Sequence, residues 1–232
     1  KQDGTLTREL SLIAFPTREL FIDKIKSFDL VIFDRYRMQS ILPEAYLANV
    51  AQYVREGGAV LISSGPDLTA VDGLYASPLA EIMTASPTGA VTEQAFRPNV
   101  TSSGLRHPVS KNLPGSNADG EETWGRWFRI IDAAPAPETH TVLDGPDGKP
   151  LLVLGRVEQG RVAQFLSDHG WLWARDYDGG GPQMELLRRL AHWLMKEPDL
   201  EEEALLVRGE GQNVVVERRT MADAAAPVTL TS

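Results

Sequence analysis

The chain of 232 residues contains no cysteine. That absence excludes disulfide bridges, Cys-ligated zinc and a thiolate nucleophile together, and leaves the redox compartment undetermined. An excess of positive charge is missing as well: 23 Lys and Arg stand against 32 Asp and Glu, a formal net charge of −9. Binding a phosphate backbone requires clustered basic side chains, so nucleic acid is excluded as a partner. No apolar run approaches the ~18–20 residues of a membrane-spanning helix, and no signal peptide is visible. There are no internal repeats, and no run of like charge is longer than Glu201-Glu202-Glu203. The first residue is Lys1 and the last stretch, Ala226–Thr231, is strand-like. Both ends are therefore expected to be cuts through a longer protein.

What is present is ordinary for a globular protein: 42% hydrophobic and 24% charged residues, in a chain long enough to bury roughly 70–75% of its unfolded surface. Leu10–Phe15, Asp29–Phe33 and Ala59–Ser63 are short continuous apolar runs, the pattern of strands buried on both faces. Between them, Thr17 is a suitable N-cap for a helix through Lys26. Pro43 suits the first turn of a second helix with Tyr46, Leu47, Val50 and Val54 on one face. This alternation predicts an α/β fold, a doubly wound, mostly parallel, flavodoxin-like sheet.

Ser77-Pro78 starts a short helix ending near Met83, and residues 86–125 read as long loops with short extended pieces. Thr139–Leu143 and Leu151–Val157 read as strands around the turn at 144–148. Gln159-Gly160 then leads into Arg161–Leu166, so an antiparallel hairpin is expected at one sheet edge. A helix from Pro182 to Lys196 would place Met184, Leu187, Leu190, Ala191 and Leu194 on its buried face, with Trp193 also packed in the core. Residues 1–205 are expected to form this domain. Residues 206–232 would form a linker and the start of a following β module, with a strand over Asn213–Glu217.

The chemistry-bearing residues gather where strands should end, the usual ligand edge of an open α/β sheet. Asp34 and Arg35 follow the second strand and suit either a salt bridge closing the strand or ligand contacts. Ser63-Ser64-Gly65 follows the third strand, the elbow position of many hydrolases, without the flanking G-x-S-x-G pattern. Ser167-Asp168-His169 follows the run at 161–166, and His169 is the histidine best placed to act as base for Ser64. Successive residues of an extended segment point oppositely, so Asp168 is poorly placed to orient His169. His107, in the long middle loop, could join Asp34, Asp168 and His169 around a cation, although no metal-ligand spacing supports this and no metal or cofactor is expected. Trp124-Gly125-Arg126-Trp127 and Trp171-Leu172-Trp173 either rim a pocket or plug the end of the sheet, with Arg126 or Arg175 able to stack on the rings. Gly179-Gly180-Gly181 reads as a flexible hinge, since no Lys-Ser/Thr follows to make a P-loop.

Six phrases carry a resemblance to a known family: FDLVIFDRYR, YVREGGAVLISSGP, RHPVSKNLP, WGRWFR, GRVAQFLSDHGWLWAR and LLRRLAHWLMKEP. Spread over most of residues 10–205, they resemble the class I glutamine amidotransferase-like domain embedded in large bacterial membrane proteins. The hairpin and terminal helix are also similar to the ThuA-like branch of that superfamily. The resemblance implies a flavodoxin-like sheet and transmembrane segments outside this chain, making the parent membrane-associated. Active glutaminases of that family use a Cys after a central strand and a His and Glu after a later one. Here Ser63-Ser64-Gly65 stands at the first place and Ser167-Asp168-His169 near the second, without the Cys and without a spaced Glu.

The expectation is a non-catalytic module that binds a protein partner or a small polar ligand at an edge lined by Asp34, Arg35, His107, Arg126, Asp168, Trp171 and Trp173. The alternative is an amidotransferase or hydrolase using Ser64 with His169 as base.

Overall fold

The computed structural model describes residues 16–38, 42–116, 123–211 and 213–222. The apolar run at Leu10–Phe15 lies outside them. The chain-order elements are β1 (Val31–Asp34), α1 (Glu44–Arg55), β2 (Ala59–Ser63), β3 (Ala85–Phe96), β4 (Asn99–Val100), β5 (Trp127–Pro135), β6 (His140–Asp144), β7 (Pro150–Val157), β8 (Gly160–Phe165), α2 (Trp171–Ala174), α3 (Gln183–Leu194), β9 (Ala204–Glu210) and β10 (Asn213–Arg219). Six strands form one mixed sheet in the order β1-β2-β8-β7-β6-β4. The fold is α/β: β1, β2 and β8 run parallel, and β7, β6 and β4 continue the sheet antiparallel. The antiparallel part is thus larger than the single edge hairpin expected from sequence.

Continuous apolar runs go where both faces are covered. Ala59–Ile62 is buried along its length, and β7 and β8 form the middle of the core. Helices α1 and α3 both pack on β2 and β8. Residues Leu47, Val50, Ala51 and Val54 of α1 are fully buried, as their i, i+3, i+4, i+7 spacing dictates. The buried stripe of α3 is Leu186, Leu190, Trp193 and Leu194. The expected stripe holds at Leu190 and Leu194, but Met184 is 82% exposed, Leu187 sits at the margin and Leu186 is buried instead. Trp193 is buried in the core, as expected. The expected helix at Thr17–Lys26 is broken instead into turns at Glu19–Asp23 and Ile25–Ser27, with Phe21 stacked on Tyr46 of α1.

Residues 86–125 are not all loop. β3 pairs antiparallel with β5 over a long two-stranded ribbon containing irregularities between Pro87 and Val91 and between Glu93 and Phe96. Pro87 and Gly89 weaken strand character locally, and most of β3 faces water, so no apolar alternation marks it. The ribbon is pinned to the main sheet by Gln164, a fully buried polar residue of β8 whose Oε1 accepts from the Ala85 N–H at 2.9 Å and from Thr84 Oγ1 at 3.3 Å. At the other end of the chain, β9 and β10 make a separate hairpin. Arg219 ties it to the body by donating to the carbonyls of Asp199 and Glu201. The boundary expected after residue 205 falls within β9.

Candidate functional site

The parallel register puts Asp34 opposite Ser63, and Ser63 opposite Phe165, so three strands end in one row. The row extends past the strands: Arg35 N–H donates to the Ser63 carbonyl at 2.8 Å, and Ser64 N–H to the Phe165 carbonyl at 3.3 Å. The neighbourhoods of Arg35, Ser64 and Asp168 therefore meet over the carboxyl edge of the parallel strands, the place open α/β sheets reserve for ligands.

Asp168 is the centre of this edge. Its side chain is 4% exposed and receives two hydrogen bonds from one guanidinium, Arg129 Nε to Oδ1 at 2.8 Å and Nη2 to Oδ2 at 2.5 Å. Such a fork-to-carboxylate pair is directional as well as charged. Arg35 approaches the same carboxylate at 3.9 Å, with its own backbone at φ 46°. Burial alone would raise the Asp168 carboxyl; the hydrogen bonds and charge of Arg129, with His169 adding, outweigh it and hold the group below the ordinary carboxylate range. Gly65 is required here by close approach, because a β-carbon on it would lie 2.8 Å from Asp168 Oδ2. Sequence reasoning misses Arg129 at this edge, because the pattern of residues does not mark β5 as a strand.

His169 is held beside this centre. Its Nδ1 accepts the Phe128 N–H at 3.1 Å, and its Nε2 lies 3.9 Å from Asp168 Oδ1. An accepting Nδ1 leaves the proton of the neutral ring on Nε2. Burial lowers the imidazole below its ordinary value, Asp168 pulls it back up and Arg129 pushes it down again. Ser64 is 3% exposed. Among the described residues no hydrogen bond joins Ser63 or Ser64 to His169, whose acceptor nitrogen is already used. The Ser64–His169 dyad of the alternative expectation is not formed.

The two tryptophans of the WLW phrase part company. Trp173 is 2% exposed, donates Nε1 to the Gly125 carbonyl at 2.8 Å and packs at 5.2 Å from Trp124 and 4.9 Å from Trp127. It plugs the end of the sheet. Gly181 belongs to that plug, since a β-carbon there would lie 2.4 Å from the Trp173 ring, whereas Gly179 has open space around it. Trp171 is 53% exposed. Arg126 does not stack on these rings: it pairs with Asp178 at 2.7 Å.

His107 is not brought to this edge. It is fully buried against Trp193 and His140, with Nε2 3.5 Å from Glu202 Oε1. Glu202 also accepts from Trp193 Nε1 at 2.9 Å and from Arg156. Arg161, over the Trp193 ring at 5.1 Å, belongs to the same cluster and starts β8, the strand end remote from Asp168. The sequence could not reveal that a loop histidine crosses to the opposite end of the sheet. Among the described residues no three His, Asp or Glu side chains are grouped to hold a metal ion.

Between the α3 side of β1–β2 and α3 lies a cleft of about 760 Å³. Its walls are apolar, with Leu30, Ile32 and Leu61 from the sheet facing Leu186, Leu187 and Ala191 of α3. Trp127, Phe165, Trp171 and Trp173 also line it, and Asp34, Arg35, Ser63, Ser167, Asp168 and Gln183 supply its polar groups. Of the expected site residues, Asp34, Arg35, Asp168, Trp171 and Trp173 thus share one cavity, whereas Ser64, His107, Arg126 and His169 do not line it. The residue pattern does not reveal this apolar wall, which includes Ile32, 57% exposed on β1.

No family model matches the chain, and no curated protein does. Solved structures do. A cytoplasmic protein from Salmonella typhimurium superposes with a TM-score of 0.61 at 20% identity, covering 78% of this chain and 76% of that one. A second cytoplasmic protein from Salmonella typhimurium LT2 gives 0.57 at 19% identity, with 74% of each chain covered. A ThuA-like protein from Bacteroides uniformis gives 0.53 at 13% identity, covering 80% of this chain and 78% of that one. The chain has a ThuA-like fold, in keeping with the resemblance read from its sequence. Among the described residues no helix is long and apolar enough to cross a membrane.

Proposed function

We propose that this chain is a non-catalytic, glutamine amidotransferase-like binding module on a doubly wound, flavodoxin-like frame, and that its ligand lies in the cleft between β1–β2 and α3. The observation that carries this reading is the cleft: about 760 Å³, apolar along its walls and polar at the strand ends. That volume falls in the range of ~300–1,000 Å³ typical of small-molecule sites, which also combine apolar walls with a few convergent polar groups. A small ligand fits this concave shape better than a flat protein surface would.

The absence of catalysis rests on separate chemistry. There is no cysteine, and a serine needs an adjacent base to become a nucleophile at neutral pH. His169 has its acceptor nitrogen on the Phe128 amide. The resemblance to domains of bacterial membrane proteins supports a membrane-anchored parent, which fractionation of the full-length protein checks.

Titration with anilinonaphthalene sulfonate tests the cleft. The dye should bind at a single saturable site, and Ile32→Glu, at an exposed strand position, should weaken it at least tenfold without lowering the Tm. Unchanged dye affinity in that variant would refute the cleft as the binding site. Glutaminase or esterase turnover that disappears in His169→Ala would replace this reading with the hydrolase one.

A further inference from the structure

The polar end of the cleft carries both an acidic and a basic side chain. Asp34 closes β1 on the cleft side, and Arg35 follows it immediately; both line the cavity. Arg35 reaches Asp168 only at 3.9 Å, and that carboxylate is already held in both oxygens by Arg129. Its guanidinium, with the side chain 58% exposed, therefore keeps donors for an incoming acceptor. Asp34 is exposed and, among the described residues, has no hydrogen bond or ion pair through its side chain. Arg35 holds this position in a left-handed backbone conformation, φ 46°, that residues with side chains rarely adopt. Such outliers cluster at ligand sites, where surrounding structure maintains them.

Beyond these two charges the cavity is mostly apolar. Its walls at Leu30, Ile32, Leu61 and Leu187 offer nothing but apolar contact, so the body of the ligand that lies along them is apolar. Trp127, also in the lining, is 1% exposed, and among the described residues its buried indole N–H has no acceptor.

A simple anion would meet Arg35 but be repelled by Asp34, and a simple cation the reverse. A ligand carrying both charges satisfies both. Resting on the proposed binding role of this cleft, we infer that its ligand is a small zwitterion with an apolar body. The ammonium lies on Asp34, the carboxylate on Arg35, and the hydrocarbon between the sheet and α3. This is the chemistry of a free apolar α-amino acid.

Calorimetry with L-phenylalanine, L-leucine and L-tryptophan, each against its N-acetyl and amide derivatives, tests the inference. At least one free amino acid should bind, and blocking either its ammonium or its carboxylate should weaken binding tenfold or more. Asp34→Asn should abolish discrimination against the N-acetyl form alone, and Arg35→Gln discrimination against the amide alone. Both substitutions are at exposed side chains, so an unchanged Tm verifies the fold. If the dye binds in the cleft but no free amino acid does, or the blocked derivatives bind equally well, the zwitterion is wrong while the cleft stands. If neither dye nor amino acid binds, both readings fall.

Discussion

Replacing Asp168 by Asn keeps the shape of the side chain against Gly65 and removes only its charge. Arg129 then faces a neutral amide that can accept at one atom only, where the carboxylate accepted at both. Breaking a fully buried pair costs about 3–5 kcal/mol, and an exposed pair is worth about 0.2–1 kcal/mol. Asp168 belongs to the first class at 4% side-chain exposure, and Arg129 to neither at 32%. An intermediate cost of about 2 kcal/mol follows, which for a chain of this size lowers the Tm by about 4–8 °C. The pH dependence gives an independent check. Because the folded carboxyl is held below its unfolded value, its contribution is complete above about pH 4 and disappears as pH falls through the depressed folded value. Urea unfolding of both proteins at pH 7, 5 and 3 measures this. An Asn variant within 1 °C of the parent at pH 7, or a stability gap that does not shrink toward pH 3, would refute the reasoning.

Trp173→Ala should cost about 3–5 kcal/mol, the usual loss for a buried Trp, whereas Trp171→Ala should change stability by less than about 0.5 kcal/mol, the surface range; chemical denaturation separates them. Gln164→Leu leaves the Ala85 N–H buried without its acceptor and should cost about 1–3 kcal/mol, with amide exchange rising along β3. His107 and His169 both sit below the ordinary histidine value, burial being the largest cause for each. The unfolded chain therefore takes up protons that the folded one does not, and stability should fall as pH drops below about 6.5, by up to about 1.4 kcal/mol per pH unit for each histidine. His107→Gln should flatten that slope in calorimetric scans; a slope unchanged in the variant would count against it.

The strands with continuous apolar character were legible: Ala59–Ser63 matches β2 to the residue, and the runs at 29–33, 151–157 and 161–166 match β1, β7 and β8 within two residues at each end. So was the convergence of Asp34, Arg35 and Asp168, because parallel strands of similar length must end together. The ribbon of β3 and β5 was not legible, since it is largely solvated, interrupted by Pro87 and Gly89, and stabilised by cross-strand pairing between segments some forty residues apart. Missing β5 meant missing Arg129: once Trp127–Pro135 is a strand, alternation puts Trp127, Arg129 and Ile131 on one face. His107 illustrates a different limit. Its burial at the remote end of β8 depends on Glu202 and Trp193, contacts that no local pattern encodes. On α3, Leu190, Trp193 and Leu194 are buried as expected, whereas Met184 faces water and Leu186 is buried in its stead.

The most direct test of the binding cleft is a two-dimensional NMR titration that follows the indole N–H resonances of the five tryptophans as anilinonaphthalene sulfonate is added. Trp171, Trp127 and Trp173 line the cleft, while Trp193 packs against His107 at the far end of β8. The account predicts saturable shifts at Trp171 and Trp127 with Trp193 unmoved. Shifts at Trp193 with Trp171 and Trp127 silent, or five unmoved resonances at saturating dye, would contradict it.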